Sequence, residues 1–195
     1  MENRLKLFIL SCAIIFSACS TGQLIRNRYY ILEYFNGSEI TELKQDEPLD
    51  GTVLVHDANL NKPYDRDNIV VRYFGPKITY SQNDFWGVQL EEIIPDLIAT
   101  RFQRYNLFEN VQRDYTVVQP EYEVNINIDN LEQFYSENLS EAHINMELIL
   151  RNRKGKQVAR HLINKEIRLA NAEMDIFVQK VNEVIREETN VFARK

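Results

Sequence analysis

From Tyr122 to Asp129 apolar and polar residues alternate without a break. Tyr122, Val124, Ile126 and Ile128 are interleaved with Glu123, Asn125, Asn127 and Asp129. Successive side chains on a strand point to opposite faces, so such a run has one buried face and one wet face. Ile144, Met146, Leu148 and Leu150 repeat the pattern, interleaved with Asn145, Glu147, Ile149 and Arg151. The polar stretch Arg153-Lys154-Gly155-Lys156 then forms a hairpin turn, and a return strand runs from Gln157 to Leu169. Strands with one buried face belong to an antiparallel sheet, and something apolar must cover that face.

Two segments with a helical period supply the cover. Trp86, Leu90, Ile93, Ile94, Leu97, Ile98 and Phe102 form one stripe, with Glu91, Glu92, Asp96, Arg101 and Arg104 on the charged face. Asp84 can cap the start of this helix. Pro95 either kinks it or marks a late start near Glu91. Trp86 continues the stripe and reads as a core anchor. The second stripe is Met174, Phe177, Val178, Val181, Val184 and Ile185. Glu173 and Asp175 at its start and Arg194-Lys195 at its end suit the helix dipole. Earlier strands are expected at 28–35, closed by the turn signal Asn36-Gly37, and at 52–56, 68–74 and 77–81, with irregular chain over 37–50. The expected fold is α+β, an antiparallel sheet with two amphipathic helices packed on one face.

The N-terminus has a different character. Arg4 and Lys6 precede an apolar run of roughly ten residues, the pattern of a secretory signal and too short for a permanent membrane span. It ends in Phe16-Ser17-Ala18-Cys19, which looks like a lipobox, with cleavage before Cys19 and lipidation of its thiol. The chain has two cysteines, and Cys12 leaves with the signal. Acylation of Cys19 accounts for the one thiol left in the exported chain. Two or more acyl chains give stable attachment. Ser20, where Asp would retain the protein at the inner membrane, favours the outer membrane and its periplasmic face. The expected organisation is a signal peptide at 1–18, a lipidated tether at 19–27 and one domain at 28–195. The tether is short, so the domain sits close to the membrane. Tyr29, Tyr30, Tyr34 and Phe35 lie near the tether and suit a membrane interface, with strand alternation turning only half of them outward.

Without residues 1–18 the chain has 177 residues and a net charge of −7. That balance gives no broad attraction to nucleic acid or anionic headgroups. His56, His143 and His161 are scattered over separate strands or strand ends and have no metal-ligand spacing around them. No Gly-x-Ser-x-Gly elbow or phosphate-binding Gly-x-x-x-x-Gly-Lys loop occurs. The expectation is no catalytic residue, no metal and no cofactor. Candidate partner-binding residues are Asp65, Arg66 and Arg72. The first two stand in a polar loop, and Arg72 stands in an otherwise apolar strand.

Several segments taken in order resemble the ABC-type transport auxiliary lipoproteins, the PqiC-like family. They are Arg28-Tyr29-Tyr30-Ile31-Leu32, then Asp65-Arg66 with Ile69-Val70-Val71-Arg72, then Ile78-Thr79-Tyr80 and Trp86 leading into the Leu/Ile-rich helix. A strand near Tyr122, a hairpin around Gly155 and a closing helix complete the order. Asp67 stands where that family commonly has Pro, and Gly87 where Ala is usual. The resemblance implies a docking and structural subunit for lipid transport across the envelope. Its partners would be an MCE-domain protein, a permease and an ATPase. It also implies homo-oligomers, since such folds often assemble into rings. The alternative is another outer-membrane assembly lipoprotein, LptE-like or pilotin-like, outside any MCE system.

Overall fold

The alternating runs become a long three-strand meander in the computed structural model, which describes residues 26–33, 43–115 and 119–195. In chain order the elements are β1 (Arg28–Tyr30), β2 (Leu49–Val55), β3 (Asn59–Leu60), β4 (Asn68–Tyr73), β5 (Ile78–Trp86) and α1 (Leu90–Arg104). Then follow β6 (Phe108–Gln112), β7 (Tyr122–Ser136), β8 (Leu139–Asn152), β9 (Gln157–Arg168) and α2 (Met174–Ala193). The α+β class is as expected. The meander β7–β8–β9 is antiparallel, as the alternation predicts, and Gly155 takes φ 74° in its second turn.

The rest of the sheet is mixed. One edge of β7 is paired along its length by β8. Its other edge is shared end to end by three shorter strands, all parallel to it: β2 at Tyr122–Val124, β3 at Asn127–Ile128 and β4 at Glu132–Tyr135. β6 adds to β2 in parallel, β5 pairs β4 antiparallel, and β1 adds to β5 in parallel. Parallel neighbours need a crossover between them. Here α1 supplies the crossover between the β4–β5 hairpin and β6.

Both helices bury their stripes in a single core with the sheet. Leu90, Ile93, Ile94, Leu97, Ile98 and Phe102 of α1 are buried, as are Met174, Phe177, Val178, Val181, Val184 and Ile185 of α2. They meet Val124, Ile126, Ile128, Ile144, Met146 and Leu148 of the meander. Each fully buried aliphatic or aromatic side chain of this kind contributes roughly 2 kcal/mol. Trp86 is core, as expected, but it ends β5 and packs against Phe177 at 6.4 Å between ring centroids.

Two local expectations are corrected. Asp84 does not cap α1: it lies in β5, where its carboxylate accepts from Arg28 Nε (2.6 Å) and Ser81 Oγ (2.7 Å). Gln89 occupies the N-cap without a side-chain bond. Arg101 is not on the wet face: it is buried and donates from Nε to the Tyr105 hydroxyl at 2.8 Å. α1 starts at Leu90, in keeping with the late start near Glu91 that Pro95 allowed, and Pro95 sits within the helix. A proline at 95 leaves the carbonyl of Glu91 without its helical donor. That carbonyl accepts the Ala58 N–H at 2.9 Å instead. The lost helical bond is thereby replaced by one that joins the helix to the segment between β2 and β3.

Candidate functional site

The helix-free face of the sheet carries a polar cluster whose origin is one bulge. Pairing of β7 with β8 runs Ile128↔Met146 and then Asn130↔Asn145, leaving Asp129 as an extra residue. A one-residue insertion reverses the parity of everything after it. Leu131 therefore points into the core, and Glu132 turns to the opposite face. With unbroken alternation from Ile128, residue 132 would have faced the helices.

Glu132 is 1% exposed, so its carboxylate needs partners. Arg72 of β4 donates from Nε to Glu132 Oε1 at 2.5 Å, and Tyr64 donates its hydroxyl to Oε2 at 2.7 Å. Arg72 Nη2 also donates to the Tyr64 oxygen at 3.1 Å, closing a triangle. The carboxylate beside it holds the Arg72 guanidinium well above the ordinary arginine range. Burial, reinforced by Glu132, pushes the Tyr64 phenol up to about 12. Both groups keep their protons, and the triangle is a fixed structural unit.

Tyr64 is held by the segment 61–67, which folds back beside the bulge. Asn61 donates its backbone N–H to Ile128 O and its amide to Asp129 O, both at 3.0 Å. An open cleft of about 600 Å³ lies here, lined by Asn61, Tyr64, Arg72, Asp129, Asn130 and Asn145 among others. The Oδ1 of Asn130 is buried there without a hydrogen-bond partner among the described residues. Of the three sequence-predicted residues the structure places only Arg72 in the lining of this cleft, and the three have different surroundings. Arg72 is committed to Glu132. Asp65 is exposed and pairs with exposed Lys62 at 3.3 Å. Arg66 is exposed, with its guanidinium 3.6 Å above the Tyr80 ring. Sequence reasoning missed Tyr64 and Glu132. The polar doublet Asp129-Asn130, which breaks the alternation, was the available signal.

A second cavity, of about 250 Å³, opens at the C-terminal end of α2. Phe102, Leu107, Phe108, Leu150 and Phe192 line it, with Lys195 among its polar residues. Each histidine has one glutamate: His56 with Glu123 at 3.0 Å, His143 with Glu141 at 2.9 Å, and His161 with Glu188 at 2.6 Å. His161 Nδ1 accepts from Lys195 Nζ at 2.9 Å, so its Nε2–H is the donor to Glu188. Lys165 binds the other Glu188 oxygen at 2.9 Å. Burial opposes ionisation of Glu188, but the bonds from Lys165 and His161 prevail and hold it below the ordinary carboxylate range. Among the described residues no group of three or more His, Cys, Asp or Glu is placed to hold a metal ion. No helix among them is long and apolar enough to cross a membrane.

Cys19, the signal segment at 1–18, Tyr34, Phe35 and the Asn36-Gly37 turn lie outside the described residues. Tyr29 is exposed and Tyr30 half-buried, the alternation expected of that strand.

No curated protein sequence matches the chain. Among solved structures, a protein from Xanthomonas campestris classed as DUF330 superposes with a TM-score of 0.71 at 14% identity, over 85% of this chain and 92% of its own. An uncharacterized protein superposes with a TM-score of 0.67 at 12% identity, over 87% of this chain and 97% of its own. These likenesses show a shared fold. The family model described as ABC-type transport auxiliary lipoprotein component matches residues 38–191, from before β2 almost to the end of α2. With that match spanning most of the sequence, the chain belongs to the ABC-type transport auxiliary lipoprotein components, a membership that ties it to an ABC transport system and to a membrane.

Proposed function

We propose that this protein is the docking subunit of an MCE-type ABC transporter that moves lipid across the cell envelope. In this reading residues 1–18 are a signal peptide and Cys19 carries the acyl anchor on the periplasmic face of the outer membrane. The domain from 28 onward receives the transporter's distal end, with a permease and an ATPase as the other partners. The observation that carries the proposal is the family match over residues 38–191. The cleft beside the β7 bulge suits docking. Tyr64 and Arg72 of the triangle line it, together with Lys62, and exposed Asp65 pairs with that lysine, with exposed Arg66 next in the chain. Such a site holds a partner by polar complementarity on a fixed frame, which favours specificity over raw affinity.

The test is a pull-down of tagged full-length protein from detergent-solubilised membranes, with mass spectrometry of the co-purifying chains. The expected result is an MCE-domain protein with its permease and ATPase. Recovery of an outer-membrane barrel or a secretin without them would overturn the proposal. If the cleft is the contact, Asp65→Lys together with Arg66→Glu lowers recovery of the MCE protein while the domain stays folded.

A further inference from the structure

We infer that the β4–β5 hairpin tip, led by Phe74, inserts into the membrane interface beside the lipid anchor. Phe74 is the most exposed large apolar side chain among the described residues, at 85%, and Tyr73 next to it is 49% exposed. Gly75 follows with φ 98° and nothing within 4 Å of where a Cβ would stand, so the tip projects freely. Pro76 stiffens it, and exposed Lys77 adds a cation. Behind the tip Tyr73 stacks on Tyr135 at 5.8 Å, and the Tyr135 hydroxyl donates to Ala172 O at 2.7 Å. The projecting aromatic therefore stands on a braced base. An aromatic wedge with an adjacent lysine suits the boundary between headgroups and acyl chains. In water the same Phe74 gains nothing from its position.

The direction of the chain points to the membrane as the occupant. β1 runs parallel to β5 and therefore opposite to β4. Followed backwards from Arg28, its axis heads along β4 from Asn68 towards Tyr73. That stretch of β4 is five residue steps, roughly 17 Å. Nine residue steps separate Cys19 from Arg28, a reach of about 30 Å at full extension. The anchor and the tip can thus meet one bilayer surface together, and the rest of the domain is held above it in a fixed attitude. The inference rests on the reading of Cys19 as the anchor and adds a second contact to it.

The experiment uses the full-length, processed protein carrying Phe74→Cys, labelled there with an environment-sensitive nitrobenzoxadiazole dye and reconstituted in vesicles of phosphatidylethanolamine and phosphatidylglycerol. Tyr115→Cys, at another exposed aromatic of the fold, is the control. Mass spectrometry of the N-terminal peptide reads the acyl group on Cys19. The expected result is a blue-shifted emission at position 74, quenched by brominated lipid, with position 115 unchanged. Acylated Cys19 with water-like, unquenched emission at 74 would overturn the insertion and leave the anchor standing. An unacylated Cys19 would overturn the anchor, and the inference with it. Blue shift and quenching at both positions would also overturn it, since contact would then not be local to the tip.

Discussion

At the scale of single residues, the Tyr64–Arg72–Glu132 triangle illustrates what burial demands of charge. Arg72 is partly exposed, whereas Glu132 is sealed, so the two ends of the pair are not equivalent. Replacing Arg72 by Met leaves a buried carboxylate with only the Tyr64 hydroxyl, and should cost about 3 kcal/mol. Glu132→Gln keeps the shape and an acceptor and should cost less. Urea denaturation of the two variants checks the order. A smaller loss for Arg72→Met than for Glu132→Gln would show that the carboxylate is reached by water after all. The same residues show how far the sequence can be read. An arginine in an apolar strand was visible as an anomaly, but its partner lies 60 positions away. No local pattern carries that distance.

At the scale of elements, α1 is a helix with a proline in its body, held without a break because another segment takes over the stranded carbonyl. The bond from Ala58 N–H to Glu91 O exists because Pro95 cannot donate. Ala58→Pro removes that donor and should cost about 1–3 kcal/mol, the penalty of leaving the Glu91 carbonyl unpaired. In a Pro95→Ala background the helix can serve its own carbonyl, so the same change should cost less. A double-mutant cycle measured by chemical denaturation reads the difference. A coupling of zero would mean the two bonds are independent. The bulge in β7 belongs to this scale too. One inserted residue moves Glu132 from the core face to the cleft, and so creates the site.

At the scale of the whole molecule, α2 is joined to the edge strand β9 by the cluster of Glu188, His161, Lys165 and Lys195. Glu188 titrates below its ordinary value in the folded state, which sets the sign of its pH dependence. Its contribution is fully present above the unfolded carboxylate value and is lost as pH falls through the folded one. Lys165 is raised by Glu188 and acts in the opposite sense, its contribution being lost only at high pH. Glu188→Gln should therefore lower stability by about 1 kcal/mol at neutral pH. The gap from the unmutated protein should close as pH falls through the carboxylate range. Urea midpoints at neutral and acid pH check this, and a constant gap would show that packing, not charge, is what the glutamate supplies.

Hydrophobic period alone determined the class of this fold. The alternation at 122–129 and 144–151 requires strands, the stripes at 90–102 and 174–185 require helices, and one buried sheet face requires the helices as its cover. Those are local consequences of side-chain direction, which repeats every two residues in a strand and every 3.6 in a helix. What the period could not express was partnership. It did not reveal that β7 takes three parallel strands along one edge, because parallel and antiparallel neighbours bury the same residues. It did not show β6 or β3, which are too short to repeat a pattern. Glu188 and Thr189 continue the buried face of α2 although they are polar, and only the opposing strand explains the glutamate. Asp65 and Arg66 could be singled out in the sequence. The cleft beside them depends on a bulge, a distant carboxylate and a tyrosine brought together by the tertiary structure, since hydrogen bonds over such separations are decided by packing and not by neighbours in the chain.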